Sequence, residues 1–65
     1  MLKETKDYCI ELSKTYTEES INDCWSSFKK SITFDKDNET MAFKDYVATH
    51  IDILIDYDTA IYNLL

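Results

Sequence analysis

The sequence predicts an all-α domain, a small three-helix bundle in which a helical hairpin packs against a longer C-terminal helix. Three observations favour this class. The 65 residues include no Gly and no Pro, the residues that most often form tight turns and end helices. Apolar residues recur at helical spacing in the first half of the chain, and a long apolar arc follows in the second. A chain this short forms one hydrophobic core, so residues 1–65 are expected to be a single domain.

The first predicted helix covers about Leu2 to Tyr16. The residues that form its predicted seam are spaced by three and four positions, and they are Leu2, Thr5, Cys9, Leu12 and Tyr16. This spacing places all of them on one face of a helix.

The second predicted helix begins after Thr15 or Thr17 and ends near Ser31. Thr15 and Glu18 match a capping box, in which the two side chains satisfy free N–H groups at a helix start. The apolar stripe of this helix is Ile21, Cys24, Trp25, Phe28 and Ile32.

The two apolar stripes match each other in an antiparallel hairpin. A chain reversal near Tyr16 and Thr17 pairs Leu12 with Ile21, Cys9 with Cys24, and Thr5 with Phe28. The hairpin would allow a disulfide between the two cysteines, but unpaired Cys is common in protein cores. We expect both to be free core residues.

The third predicted helix runs from about Thr40 to Leu64. Its central stripe is Phe43, Val47, His50, Leu54, Tyr57, Ile61 and Leu65. An α+β alternative stays open, because the segments on either side of the polar residues 35–39 could form a short β-hairpin near residues 31–43. Residues 51–57 also alternate in the manner of a strand.

Neither the acidic loop nor the histidine indicates catalysis or metal binding. Acids alternate between Asp35 and Glu39 as in an EF-hand, but Thr40 replaces the required Gly and Tyr46 replaces the chelating Glu. We expect a solvated loop with helix-capping acids. His50 is the only histidine. It has no acid three or four residues away, so we expect a core or interface residue.

Whole classes of site are excluded by composition. Without Gly, the chain cannot form a Walker loop, a dinucleotide-binding turn or a nucleophile elbow. No CxxC pair supports a zinc or redox site. We therefore expect no enzyme, no catalytic residue, no metal and no cofactor. We also expect a cytoplasmic protein without a membrane span, because the N-terminus lacks an apolar signal region and the most apolar segment contains three Asp residues.

Negative charge is concentrated in the second half of the chain. The net charge is −6; residues 1–33 carry five Lys and six acids, whereas residues 34–65 carry two Lys and seven acids. Direct nucleic-acid binding is not expected, because it requires clustered Lys and Arg. The asymmetry instead predicts a partner with a basic surface. Mimicry of nucleic acid is one version, although the Asp residues are much sparser than the phosphates of a duplex.

The predicted function is a small acidic protein-binding module that inhibits or adapts a larger basic partner by steric or charge blocking. Its most concrete version is a phage or mobile-element antagonist of a host nucleic-acid enzyme or defence system, for example an anti-CRISPR protein acting in the host-cell cytoplasm. Aromatic residues suit interfaces, and carboxylates would steer the encounter. The candidate partner-binding residues are Trp25, Tyr46, Tyr57, Tyr62, Asp45, Asp52 and Asp56.

A second surface is predicted by the wide apolar arc of the third helix. A two-helix hairpin would not cover the whole arc. The alternative function is therefore a self-associating structural or regulatory subunit, a helical homodimer, and an acidic antitoxin or immunity protein is a third interpretation. The candidate dimer-interface residues are Ile51, Ile53, Ile55 and Leu64.

Overall fold

A computed structural model describes the backbone of residues 1–64 and the side chains of residues 1–60. Within this part of the chain the helices are α1 (Lys3–Leu12), α2 (Glu18–Lys29), α3 (Glu39–Thr49) and α4 (Tyr57–Leu64), with a 3-10 turn at Ile51–Ile53. The described backbone contains no strand, so the all-α class is confirmed and the hairpin near residues 31–43 does not form. No helix in the described residues is both long and apolar enough to cross a membrane.

The first two helices are shorter than their apolar patterns suggested. α1 ends at Leu12 rather than near Tyr16, and α2 ends at Lys29 rather than near Ser31. Thr17 caps α2, since its hydroxyl oxygen accepts a hydrogen bond from the Ser20 N–H at 3.3 Å. Glu18 and Glu19 then lie in the first turn, where the helix dipole favours negative charge.

The prediction of a single helix from Thr40 to Leu64 is wrong, because the helix that contains Thr40 ends before His50. His50 has φ −117° and ψ 39°, and Leu54 is extended at φ −81° and ψ 127°. Isoleucine is β-branched and loses side-chain freedom in a helix, so three Ile residues between 51 and 55 weaken helix formation there.

A new helix begins after this break because Asp56 caps it. The Asp56 Oδ1 atom accepts a hydrogen bond from the Thr59 N–H at 2.7 Å. Asp56 also forms an isolated antiparallel bridge with Tyr16. The segment with strand-like alternation, residues 51–57, therefore forms a 3-10 turn, a short connection at residues 54–56 and the first residue of α4.

Aromatic rings form the centre of the core. Phe28 of α2 and Phe43 of α3 are fully buried, and their ring centroids lie 5.3 Å apart. Edge-to-face contacts join Phe43 to Tyr8 of α1 at 5.8 Å and to Trp25 of α2 at 5.1 Å. Aromatic pairs of this kind stabilise by about 0.5–1.5 kcal/mol beyond area burial. Phe43 of α3 thus contacts both α1 and α2 and connects these three helices.

The rest of the core follows most of the predicted stripes. Ile21, Cys24 and Val47 are buried, but Ile32 lies beyond the end of α2 and is fully exposed. Cys9 and Cys24 are both free, as expected. Burial raises the pKa of both thiols, which keeps them in the unreactive protonated form.

A buried polar contact joins α1 to the start of α3. The Glu39 carboxylate accepts hydrogen bonds from the Leu2 N–H and the Thr5 hydroxyl, each at 2.9 Å. Because that bond uses the single Thr5 proton, the Thr40 hydroxyl donates to Thr5 at 2.8 Å. The expectation that Glu39 lies in a solvated loop is wrong, since its side chain is buried.

The charge of Glu39 is maintained by these donors. Burial alone raises the pKa of Glu39, but the hydrogen bonds from Leu2 and Thr5, together with the N-terminal amine, lower it below its ordinary value. The contact also explains why a polar Thr5 lies on the apolar face of α1.

Candidate partner-binding surface

The predicted partner-binding residues are distributed between the edge of the core and two surface regions. Trp25 is half-buried and packs against Phe28 and Phe43, with ring centroids 5.5 and 5.1 Å away. Its indole therefore has a clear packing role, and its role as a partner anchor stays a prediction. The side chains of Tyr62 and Leu64 lie outside the described residues.

The first surface region is an open groove beside the C-terminal half of α3, with a volume of about 240 Å³. We call it the α3 groove, and its lining residues are Thr33, Ala42, Asp45, Tyr46, Thr49 and His50. Helical spacing explains the set, since Ala42, Asp45 and Thr49 lie three and four residues apart on one face of α3. His50 lies four residues after Tyr46, and its N–H still bonds to the Tyr46 carbonyl at 2.9 Å, so helical spacing also brings it to the groove.

Tyr46 and His50 form a stacked pair at the end of this groove. Their ring centroids are 4.1 Å apart with an interplanar angle of 22°. The His50 Nδ1 atom lies 3.1 Å from the Tyr46 carbonyl oxygen. Tyr46 also packs against Phe28 at 5.4 Å, so the pair is supported by the core. His50 is half-buried at the end of α3, rather than within a continuous helical stripe.

The second surface region lies where α4 begins, beside the turn between α1 and α2. We call it the α4 corner, and it is lined by Lys14, Thr15, Asp56, Tyr57 and Asp58. Two backbone hydrogen bonds hold the extended segment to the turn: Thr17 N–H to the Ile55 carbonyl at 2.8 Å, and Tyr57 N–H to the Thr15 carbonyl at 3.2 Å. The Tyr57 hydroxyl donates to the Ser13 carbonyl at 2.9 Å.

Asp56 has a structural role in the α4 corner. Hydrogen bonds from the Thr59 side chain and backbone N–H lower the pKa of Asp56. Its carboxylate is thus already an acceptor within the chain, whereas the carboxylates of Asp45 and Asp52 are exposed and accept no hydrogen bond from the described residues. Of the three predicted steering acids, Asp45 and Asp52 have the more available charge.

The predicted dimer residues whose side chains are described, Ile51, Ile53 and Ile55, lie in the 3-10 turn or directly after it. Ile51 and Ile55 remain 49% and 43% exposed, and Tyr57 is 44% exposed. Ile53 is half-buried and packs against the core cluster. The described part of this candidate interface is therefore a small apolar surface interspersed with Asp52 and Asp56.

The electrostatics of the surface are dominated by acids without ion-pair partners. Among the side chains of residues 1–60, the one ion pair joins Lys14 Nζ to Glu11 Oε1 at 3.4 Å. Lys44 is the last Lys in the sequence, and its ammonium lies over the Tyr8 ring, 5.3 Å from the ring centroid. No group of His, Cys, Asp and Glu within the described residues could hold a metal ion.

Sequence reasoning did not identify several contributors to these regions. Thr33 joins the α3 groove from the loop before α3, and Ser13 anchors Tyr57 from the end of α1. Thr49 carried a usable signal, because it lies four residues after Asp45 on the same helical face. The contacts of Thr33 and Ser13 depend on tertiary structure and had no local signal.

The chain matches no protein-family model, no curated protein and no solved structure.

Proposed function

We propose that the protein is a small binding module that blocks or adapts a larger partner with a basic surface. The observation that carries this proposal is the unpaired negative charge of residues 45–58. Asp45, Asp52 and Asp58 are exposed and form no ion pair within the described residues, and no Lys follows Lys44. Unpaired surface charge of one sign raises the encounter rate with an opposite surface and selects against acidic partners.

The contact itself would combine charge with apolar area. Ile51, Ile55 and Tyr57 are the exposed apolar side chains nearest to these acids in sequence. Interface affinity comes mainly from buried aromatic and apolar anchors, while peripheral charges set orientation and association rate. In this proposal Asp45 and Asp52 orient the partner, and the apolar side chains exclude water.

Enzymes that act on nucleic acids are the most concrete class of partner. Their binding surfaces are basic because they neutralise phosphates, and a compact acidic protein seated on such a surface would obstruct it sterically. Antagonism of a host nucleic-acid enzyme by a phage or mobile element is the specific form that we propose.

A pull-down from lysate of the source cell tests the proposal. The tagged chain is washed at low and then high salt, beside two double variants with equal loss of charge. Asp45→Asn/Asp52→Asn removes acids from the proposed surface, and Asp7→Asn/Asp23→Asn removes exposed acids from α1 and α2. We expect one stoichiometric partner that elutes with salt, and that is depleted only with the first double variant.

Two results would contradict the proposal. Equal depletion in both double variants would show that net charge, and not this surface, determines binding. Recovery of the bait alone would favour self-association instead.

The second candidate function, a homodimer, is favoured by the exposure of Ile51 and Ile55. A dimer's melting temperature rises with protomer concentration, because association stabilises the folded state by mass action. Sedimentation and melting over a hundredfold range of concentration, compared with the Ile51→Ser/Ile55→Ser variant, distinguish the two functions. A melting temperature independent of concentration would reject the dimer.

A further inference from the structure

The side chains that line the α3 groove offer hydrogen-bond acceptors. The Thr49 hydroxyl donates its proton to the Asp45 carbonyl at 3.0 Å, which leaves its oxygen free only to accept. The Asp45 carboxylate is an acceptor as well. No Lys lines the groove.

His50 adds a third acceptor. The Tyr46 carbonyl oxygen beside His50 Nδ1 can only accept a hydrogen bond, so Nδ1 carries the proton. In the neutral ring Nε2 then has a free lone pair. This assignment follows from the identity of the Nδ1 partner and fixes the tautomer of the imidazole.

The backbone strengthens the preference for a positive ligand. The groove lies along the last turns of α3, which has no basic residue in its final turn. The C-terminal end of a helix carries partial negative charge from its free carbonyl groups. Together with Asp45, this end of α3 favours a cation.

Size and shape limit the cation further. The volume of about 240 Å³ is below the roughly 300–1,000 Å³ of pockets for drug-sized ligands, and it suits one extended side chain. Tyr46 and His50 are each half-buried, and their rings cover one another at the end of the groove, which leaves the ring edges as the polar part of this lining.

We propose that the α3 groove binds the guanidinium group of an arginine side chain on the partner, an inference that rests on the proposed function. A guanidinium is planar and has five N–H donors and no acceptor, so its edge can donate two parallel bonds to the Asp45 carboxylate and another to the in-plane His50 lone pair. A lysine ammonium has three donors and no plane, so it satisfies fewer of these groups.

Titration of the ¹⁵N-labelled chain with capped tripeptides tests this proposal. The probes are acetyl-Gly-Arg-Gly-amide and its Lys counterpart at low ionic strength. We expect saturable amide shifts at Asp45, Thr49 and His50 with the Arg peptide, and affinity weaker by at least about threefold with the Lys peptide. Equal affinity for the two peptides, or shifts spread over all acidic residues, would overturn the proposal.

Two single variants with the same charge change locate the site. Asp45→Asn should weaken the affinity for the Arg peptide by about three- to tenfold, because an exposed charge-assisted hydrogen bond is lost. Asp52→Asn, which lies outside the groove, should change it by less than about twofold. His50→Phe retains a ring but removes the Nε2 acceptor. Weaker binding of the Arg peptide by this variant would show that a hydrogen bond to Nε2, and not stacking on the ring, contributes to affinity. Circular dichroism confirms folding, and equal effects of Asp45→Asn and Asp52→Asn would refute the groove.

The outcomes also separate this proposal from the proposed function. Salt-sensitive partner capture without groove binding of the Arg peptide refutes the groove and supports the binding module. Saturable binding of the Arg peptide in the groove, without capture of a salt-sensitive partner, supports the groove and refutes the binding module.

Discussion

The aromatic core and the segment after His50 are stabilised by different kinds of contact. In the core, Phe28 and Phe43 are fully buried and contact rings from three helices. In residues 50–60, Leu54 is the one buried side chain and half-buried Ile53 packs against the core, while hydrogen bonds to the α1–α2 turn hold Ile55 and Tyr57. Stability is therefore concentrated before residue 50, while residues 51–58 hold few buried groups and expose two acids and three apolar side chains.

This difference would let a short chain combine a rigid core with the exposed surface that we propose for binding. A hydrogen bond contributes about 0.5–1.5 kcal/mol net, whereas burial of a large apolar side chain contributes about 1.5–3 kcal/mol. The terminal segment is thus positioned by weaker contacts on a more stable three-helix base. Local opening of such a segment is expected below the free energy of global unfolding.

The largest effect is expected from Phe43→Ala. Truncation of a buried Phe costs about 3–5 kcal/mol, comparable to what a single core supplies in a domain of this size. We expect the variant to be mainly unfolded at 25 °C, as measured by urea denaturation with circular dichroism. Ile10→Ala on the exposed face of α1 is the control and should cost less than about 0.5 kcal/mol. Similar urea midpoints for the two variants would contradict the position of Phe43 at the centre of the core.

A smaller and more local effect is expected from Leu54→Ala. The change costs about 2 kcal/mol, the low end for a buried leucine, because Leu54 packs at the edge of the core. Hydrogen exchange should accelerate at the Thr17 amide, which donates to the Ile55 carbonyl, and at the Tyr57 amide, which donates to the Thr15 carbonyl. Amides in the middle of α2 and α3 should change much less. Uniform acceleration would mean that both regions open as one unit.

The folding signals before and after residue 50 differ in kind. Spacings of three and four residues identified Ile21, Cys24 and Phe28 because helix periodicity and burial coincide there. The same rule failed after Thr49, since a broad apolar arc is compatible both with a helix and with a break followed by a capped helix. Asp56 is the residue that indicates where the second helix starts, because it is the N-cap of α4. From the sequence, its carboxylate was interpreted as a steering charge instead.

Long-range polar contacts were not predictable from local pattern. Glu39 is buried because Thr5 and the Leu2 N–H approach it from α1, a contact across more than thirty residues. The α3 groove was partly accessible to sequence reasoning, because Asp45 and Tyr46 were both identified. His50 lies four residues after Tyr46, so helical spacing was compatible with their contact, whereas the approach of Thr33 from the preceding loop had no signal in the sequence.

The pH dependence of stability provides a test within the more stable region. The pKa of Glu39 is lower in the folded chain than its ordinary value of 4.5. Its contribution is therefore fully present above about pH 4.5 and is lost as pH falls through the lower folded value. Below pH 4.5 the free energy of unfolding should decrease most steeply in the wild type, less in Thr5→Val, and least in Glu39→Gln. Identical slopes for all three chains would contradict the buried, ionised carboxylate.

The smallest effect is expected from Tyr57→Phe. Loss of the hydrogen bond to the Ser13 carbonyl should cost about 0.5–1 kcal/mol and should accelerate exchange at the Tyr57 amide without changing the core. Tyr46→Phe is the matched control, because the Tyr46 hydroxyl has no hydrogen bond to any described residue. A change in global stability equal to that of Phe43→Ala would contradict the division between the two regions.

The central claim, that residues 45–57 form the binding surface on a three-helix base, is tested most directly by mapping the partner's footprint. The ¹⁵N-labelled chain in complex with the captured partner would be examined by cross-saturation from the partner's protons. The account predicts signal loss concentrated between Asp45 and Tyr57, with little on the exposed face of α1 around Asp7 and Ile10. A footprint centred on α1, with residues 45–57 unaffected, would contradict it.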